Sequence, residues 1–207
     1  MRQALYLDMA RLGLMSPPAQ RMYHGLGRGA AEAPESLNVE DFWRHGFASL
    51  STNNQRRLTE LSAWSGLAGL KDSLRKFVTA SADTPLLIAG RSQSLMKLAA
   101  RCLFQHCRHV LTTDLSWLPY QRLLEDEARR TGHEVTQLPV RERLFCRQVS
   151  LDQVSNELAQ AARRYRVDGL FLPAVDNLGI RLPVADIVAA IRQQTDLQFV
   201  VTDAAQA

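Results

Sequence analysis

Lysine is nearly absent from this sequence: of its 25 basic residues only Lys71, Lys76 and Lys97 are lysines, and none follows Lys97. Cysteine is sparse as well. Cys102, Cys107 and Cys146 are an odd number without the density of a disulfide scaffold, so reduced thiols and a cytoplasmic location are the expectation. No apolar run reaches the length of a bilayer-spanning helix, and the stretch from Leu5 to Leu14 is interrupted by Asp8 and Arg11, so neither a membrane partner nor a signal peptide is expected. Runs of like charge are missing too. The net charge of +4 is spread over 25 basic and 21 acidic residues, which reads as a solvated surface with no nucleic-acid partner, a diffuse nucleic-acid surface being the lesser alternative.

What is present is ordinary globular composition, 46% hydrophobic and 22% charged, enough to bury a core over 207 residues. Two textures divide it. Residues 1–83 carry loop signals at Ser16-Pro17-Pro18, Gly25 to Gly29 and Ala33-Pro34-Glu35-Ser36, with helical patches between them. The longest patch, Arg57 to Val78, is expected to break into two helices at Gly66 and Gly69. Residues 84–207 instead alternate short apolar runs with amphipathic stretches. Strands are expected at Leu86 to Ala89, His109 to Thr112, Glu134 to Val140, Gly169 to Leu172 and Phe199 to Val201. Helices are expected at Ser94 to Gln105, Pro119 to Thr131, Leu151 to Tyr165 and Pro183 to Gln193, with Pro119 and Pro183 suited to a first turn and Gly132 to a stop. The alternation predicts an α/β fold with a doubly wound, mainly parallel sheet, whose ligands bind beyond the carboxyl ends of the strands.

Four segments lie at those ends. Gly90-Arg91-Ser92-Gln93-Ser94 leads into a helix, where Ser92 either caps it or helps seat a phosphate. Trp117, in Asp114-Leu115-Ser116-Trp117, either lies on a planar ring or packs under the next helix. Asn177, in Val175-Asp176-Asn177-Leu178-Gly179, either reaches a ligand or holds a turn. Asp203, in Thr202-Asp203-Ala204-Ala205-Gln206, ends a β-branched strand and calls for a positive partner. A protonated pyridine nitrogen would be one, with Gln206 donating to the ring hydroxyl, and the weaker alternative is an aspartate that caps a helix.

In this order the segments resemble the class V aminotransferase family, which includes cysteine desulfurases and isopenicillin N epimerase-like proteins. The likeness runs from Tyr6-Leu7-Asp8 to the end, most specifically in the C-terminal half. Members are fold type I enzymes dependent on pyridoxal 5′-phosphate (PLP) and are usually homodimers. The resemblance implies a cofactor-binding set of Ser92, Gln93, Trp117, Asn177, Asp203 and Gln206, a substrate that is an amino acid or related amine, and no metal. Ala204 replaces the family's usual glycine, and Gln93 stands where threonine is common. The family's cofactor-linking lysine lies beyond the Asp-Gly-Ala-Gln motif, and here no lysine follows Lys97. The 207-residue chain is therefore expected to be inactive alone, a fragment or truncated form of a longer enzyme, with an open sheet edge that favours aggregation.

Other signals point to structure. Cys102, His106, Cys107 and His109 match no zinc spacing, and buried structural cysteines are expected at Cys102 and Cys107. Glu125, Asp126 and Glu127 beside Arg129 and Arg130 read as an exposed helix face, and Trp43 and Trp64 as packing residues. Two alternatives stand beside the enzyme reading. One is a non-catalytic interaction protein that keeps the fold. The other is a nucleotide-binding Rossmann-type enzyme, although residues 90–94 lack the glycine-rich fingerprint.

Overall fold

Alternation between polar turns and short apolar runs folds into separate layers, shown by a computed structural model that describes residues 15–32 and 38–205. Tyr6-Leu7-Asp8 and Gln206 lie outside the described residues. The chain forms two compact units, with the boundary between Leu87 and Ile88.

The first unit is helical: α1 (Pro17–Glu32), α2 (Val39–His45), α3 (Thr52–Arg57) and α4 (Gly66–Phe77). Asn38 and Ser51 cap α2 and α3 by accepting from the amides of Asp41 and Asn54. Phe42, Leu50, Leu58 and Leu61 make a small core with Trp64, whose indole donates to the Phe42 carbonyl at 2.8 Å. Trp64 thus packs as expected, whereas Trp43 stands edge-on to it and is half-exposed. Gly66 does open a helix, but Gly69 sits inside α4 and breaks nothing.

The second unit carries α5 (Ser92–His106), β1 (His109–Thr113), α6 (Leu118–Thr131), β2 (Glu134–Leu138), α7 (Arg141–Phe145), α8 (Leu151–Tyr165), β3 (Gly169–Pro173), α9 (Val184–Arg192) and β4 (Phe199–Asp203). The four strands are parallel in the order β2-β1-β3-β4, so β2 and β4 are the outer strands. Successive residues face opposite layers. Val110 and Phe171 join α5 and α6 residues such as Leu103, Phe104 and Leu124, while Leu111, Leu170 and Leu172 join Val154, Leu158, Ile187 and Ile191 of α8 and α9. Helices on both faces explain why β3 reads as a continuous apolar run and why the successive residues Val110 and Leu111 of β1 are both apolar. No helix among the described residues is long and apolar enough to cross a membrane.

The expected strand at Leu86 to Ala89 is not formed. That segment is irregular, with Leu87 63% and Ile88 47% exposed. An apolar run becomes a strand only when a neighbour bonds its backbone, and none among the described residues does. Asp168, just before β3, closes the amino end of the sheet: its carboxylate accepts from the amides of Arg108 (2.9 Å) and His109 (2.9 Å).

Burial also corrects the reading of the acidic run on α6. Glu127 is buried, not exposed, and accepts from the Nε of Arg130 at 3.0 Å. That hydrogen bond, with the charges of Arg130, Arg101 and Lys97, holds its carboxyl below the ordinary 4.5 against the opposing effect of burial. A carboxyl depressed by folding contributes stability above its unfolded pKa and loses it as pH falls through the folded value. The acid limb of a melting-temperature profile should therefore be shallower in Glu127→Gln than in the parent. Glu157, depressed in the same way by Arg143, keeps part of the slope. Superimposable acid limbs would refute the assignment.

Candidate functional site

Strand order places the carboxyl ends of β1 and β3 side by side. From β1 the chain moves outward to β2, then crosses back to β3 and on to β4. The loops after β1 and β3 therefore diverge to opposite sides of the sheet, and it is beyond such a switch point that open α/β sheets bind ligands.

The start of α5 contributes backbone amides. Its N-cap is Arg91, and no side chain caps the first turn. Ser92 is the first helical residue, not the cap, and its hydroxyl accepts from Tyr120 at 3.1 Å. Ser92 and Gln93 are both exposed. An uncapped first turn leaves donors and the positive end of the helix dipole free for an anion.

Trp117 occupies the N-cap of α6. Its indole is half-exposed and meets the Tyr120 ring edge-on, with centroids 5.1 Å apart. Trp117 is thus not buried beneath the helix. Tyr120 links it to Ser92, so α6 joins two of the expected contacts. The loop before Trp117 is held from several sides. The Asp114 carboxylate accepts from the amides of Val140 (2.8 Å) and Arg141 (2.9 Å), and Gln121 donates to the carbonyls of Asp114 (3.2 Å) and Ser116. Gln121 is itself held by Gln137 of β2 at 2.9 Å.

After β3 the chain makes a tight excursion, closed by an antiparallel bridge between Val175 and Arg181. Here Asp176 holds the turn. Its Oδ1 accepts from the amides of Leu178 (2.9 Å) and Ile180 (2.8 Å), and its buried Oδ2 has no hydrogen-bond partner among the described residues. Asn177 is therefore free of the turn role. It is exposed, and its Oδ1 accepts from Arg141 at 3.1 Å.

Asp203 ends β4 opposite Pro173. Its carbonyl accepts from the Ala174 amide at 2.7 Å, which ties it to the start of the Asn177 loop, and one carboxylate oxygen accepts from the Ala205 amide at 3.1 Å. β4 is a half-buried outer strand, so the expectation that desolvation demands a cation at Asp203 fails within the described residues. The carboxylate nonetheless stands at the same end of the sheet as the other groups, with no cation paired to it among the described residues.

Three residues escaped the sequence reading: Tyr120, Gln121 and Arg141. Tyr120 and Gln121 fall inside the expected helix Pro119 to Thr131, away from the strand ends, whereas Arg141 directly follows the expected strand Glu134 to Val140, and that position was the signal that could have found it. The cysteines are free, and only Cys107 is buried. Cys102 is half-buried, contrary to expectation, and Cys146 is exposed. Burial, then the nearby Asp168 charge, pushes the Cys107 thiol up to about 11, which leaves it protonated and unreactive.

No family model matches the chain, and no curated protein does. Among solved structures it is similar to the cystine C-S lyase C-DES in complex with its reaction product cysteine persulfide, with 16% identity and a TM-score of 0.60. It is likewise similar to a lysine-to-alanine mutant of C-DES with glycine covalently linked to the PLP cofactor, with 16% identity and a TM-score of 0.59. Each match covers 98% of this chain and 47% of the other, so the chain spans about half the length of these proteins. The shared feature is the α/β fold.

Proposed function

We propose that this chain is the cofactor-binding part of a PLP-dependent enzyme of the class V aminotransferase type, acting on an amino acid or related amine. The observation that carries the reading is the uncapped first turn of α5, whose Ser92 is joined through Tyr120 to the half-exposed Trp117. Backbone amides and the Ser92 and Gln93 side chains receive the phosphate. Trp117 lies against the face of the ring, and Asp203 meets the ring nitrogen and favours its protonated form. Asn177 and Gln206 serve the oxygens at the ring's edge. When bound, PLP supplies the electron sink for the reaction.

The chain carries no lysine after Lys97. Lys97 lies within α5 rather than at a strand end. None of Lys71, Lys76 and Lys97 stands among the cofactor contacts of this reading. The complete enzyme in this reading is a cytoplasmic homodimer, with residues 84–207 serving as part of its PLP-binding domain.

Pyridoxamine 5′-phosphate is the suitable probe, because its amine forms no imine with surface lysines. Titrated into the chain, it should bind saturably and quench tryptophan fluorescence, and Asp203→Asn should weaken binding by about 10-fold through loss of one charge-assisted contact. Ser92→Ala should cost about 3-fold. Absence of saturable binding, or displacement by a dinucleotide at equal concentration, would overturn the reading.

A further inference from the structure

The guanidinium of Arg141 reaches from the loop after β1 to the loop after β3. Its Nε donates to the Asp114 carbonyl at 2.9 Å, its Nη2 to the Leu115 carbonyl at 3.1 Å, and its Nη1 to Asn177 Oδ1 at 3.1 Å. One side chain, standing just after β2, thus ties the loop after β1 to the loop after β3. The Asp114 carboxylate holds the backbone of Arg141 in return, by accepting its amide at 2.9 Å.

A guanidinium has only donors. The amide of Asn177 must therefore face Arg141 with its oxygen, and the amide nitrogen is turned away. That nitrogen has no hydrogen-bond partner among the described residues. Asp176 already satisfies the turn amides, so the Asn177 side chain has no local structural duty to compete with this orientation.

From this geometry we infer that Arg141 is a positioning residue that locks Asn177 as a hydrogen-bond donor toward an anionic oxygen of the bound ligand. The inference rests on the PLP reading above. Two oxygens have the required chemistry, the ionised ring oxygen of the cofactor and the carboxylate of an amino-acid substrate. If Asn177 were free to rotate, it would present donor and acceptor alternately, and half of its orientations would repel an anion. Fixing it from behind removes the repulsive orientation and its ordering entropy before the ligand arrives.

The test uses the full chain with two ligands, pyridoxamine 5′-phosphate and N-(5′-phosphopyridoxyl)glycine, the second carrying a carboxylate. Dissociation constants and the ionisation of the ring hydroxyl, followed by absorbance across pH, are the readouts. Asn177→Asp keeps an acceptor for Arg141 and removes the donor, so thermal melts should be unchanged while affinity falls by about 10-fold. Arg141→Gln should weaken binding by a similar factor, and the double variant Arg141→Gln with Asn177→Ala should be no weaker than Asn177→Ala alone. Losses with both ligands, together with a ring-hydroxyl pKa raised by about one unit, identify the ring oxygen as recipient; losses confined to the glycine adduct identify the carboxylate. Either result supports the assignment. Binding by the parent chain that Asn177→Asp leaves intact removes it and spares the PLP reading, as do fully additive losses in the double variant, which would mean that Arg141 touches the ligand itself. No binding by the parent removes both.

Discussion

Phe171→Ala is expected to destabilise the second unit by about 3–5 kcal/mol in denaturant unfolding, the range for truncating a fully buried aromatic. Phe171 lies in the middle of β3 and is 1% exposed, packed among Ala100, Leu103, Phe104, Val110, Tyr120, Leu124 and Ala128. The neighbours belong to α5, β1 and α6, none of which can close over the gap without losing its own contacts, so a cavity persists. The same cluster includes Tyr120, which holds the Ser92 hydroxyl and stands against Trp117. Affinity for pyridoxamine 5′-phosphate should therefore fall together with stability, and Phe171→Leu should restore most of both. A stability loss below about 1 kcal/mol would show that the cluster does not carry the sheet.

Gly46→Ala is expected to cost the first unit about 3 kcal/mol or more, read as loss of near-ultraviolet circular dichroism from its tryptophans. Gly46 has φ +78°, and a Cβ there would lie 2.5 Å from the Trp64 carbonyl oxygen and 2.6 Å from the Gly66 amide nitrogen. The reciprocal position is equally closed, since a Cβ on Gly66, at φ +81°, would lie 2.4 Å from the Arg44 carbonyl oxygen. Two backbone segments cross here, joined by the Phe47 amide donating to the Trp64 carbonyl at 2.7 Å. Backbone cannot rotate aside as a side chain does, so the methyl must separate the segments. Gly27, which has nothing within 4 Å of its Cβ position, is the control, and Gly27→Ala should not destabilise. Equal melting curves for the Gly46 and Gly27 variants would refute this account.

What the sequence made legible follows from how local each signal is. β3, covered on both faces, is a continuous apolar run, and α8 is capped by Ser150 with a capping box closed by Gln153. Such elements announce themselves within a few residues. Leu86 to Ala89 has the same apolar character, but strand formation also needs a partner, which no window of sequence contains. The glycines show a similar divide: Gly132 stops α6 in the left-handed region, as helix-end chemistry dictates, whereas the crossing of Gly46 and Gly66 joins positions twenty residues apart. At the candidate site, order along the chain placed Trp117, Asn177 and Asp203 at the carboxyl ends of β1, β3 and β4, whereas Ser92 was expected after a strand that does not form and instead opens α5. The division of labour between Asp176 and Asn177, and the reach of Arg141, depend on which oxygen meets which donor, and residue types alone do not state that.

The outer position of β4 has a consequence for anything that joins the sheet there. Phe199 and Asp203 bond toward β3, through the Phe199 amide to Asp168 and the Asp203 carbonyl to Ala174. By the alternation of a parallel ladder, Val200 and Thr202 turn their amides and carbonyls the other way. These two residues form a short docking rail, with a fixed spacing of donors and acceptors next to Asp203. A segment that clipped onto it would be brought alongside that carboxylate in a set register, so the same strand that presents the acid also dictates which residue of the newcomer stands beside it.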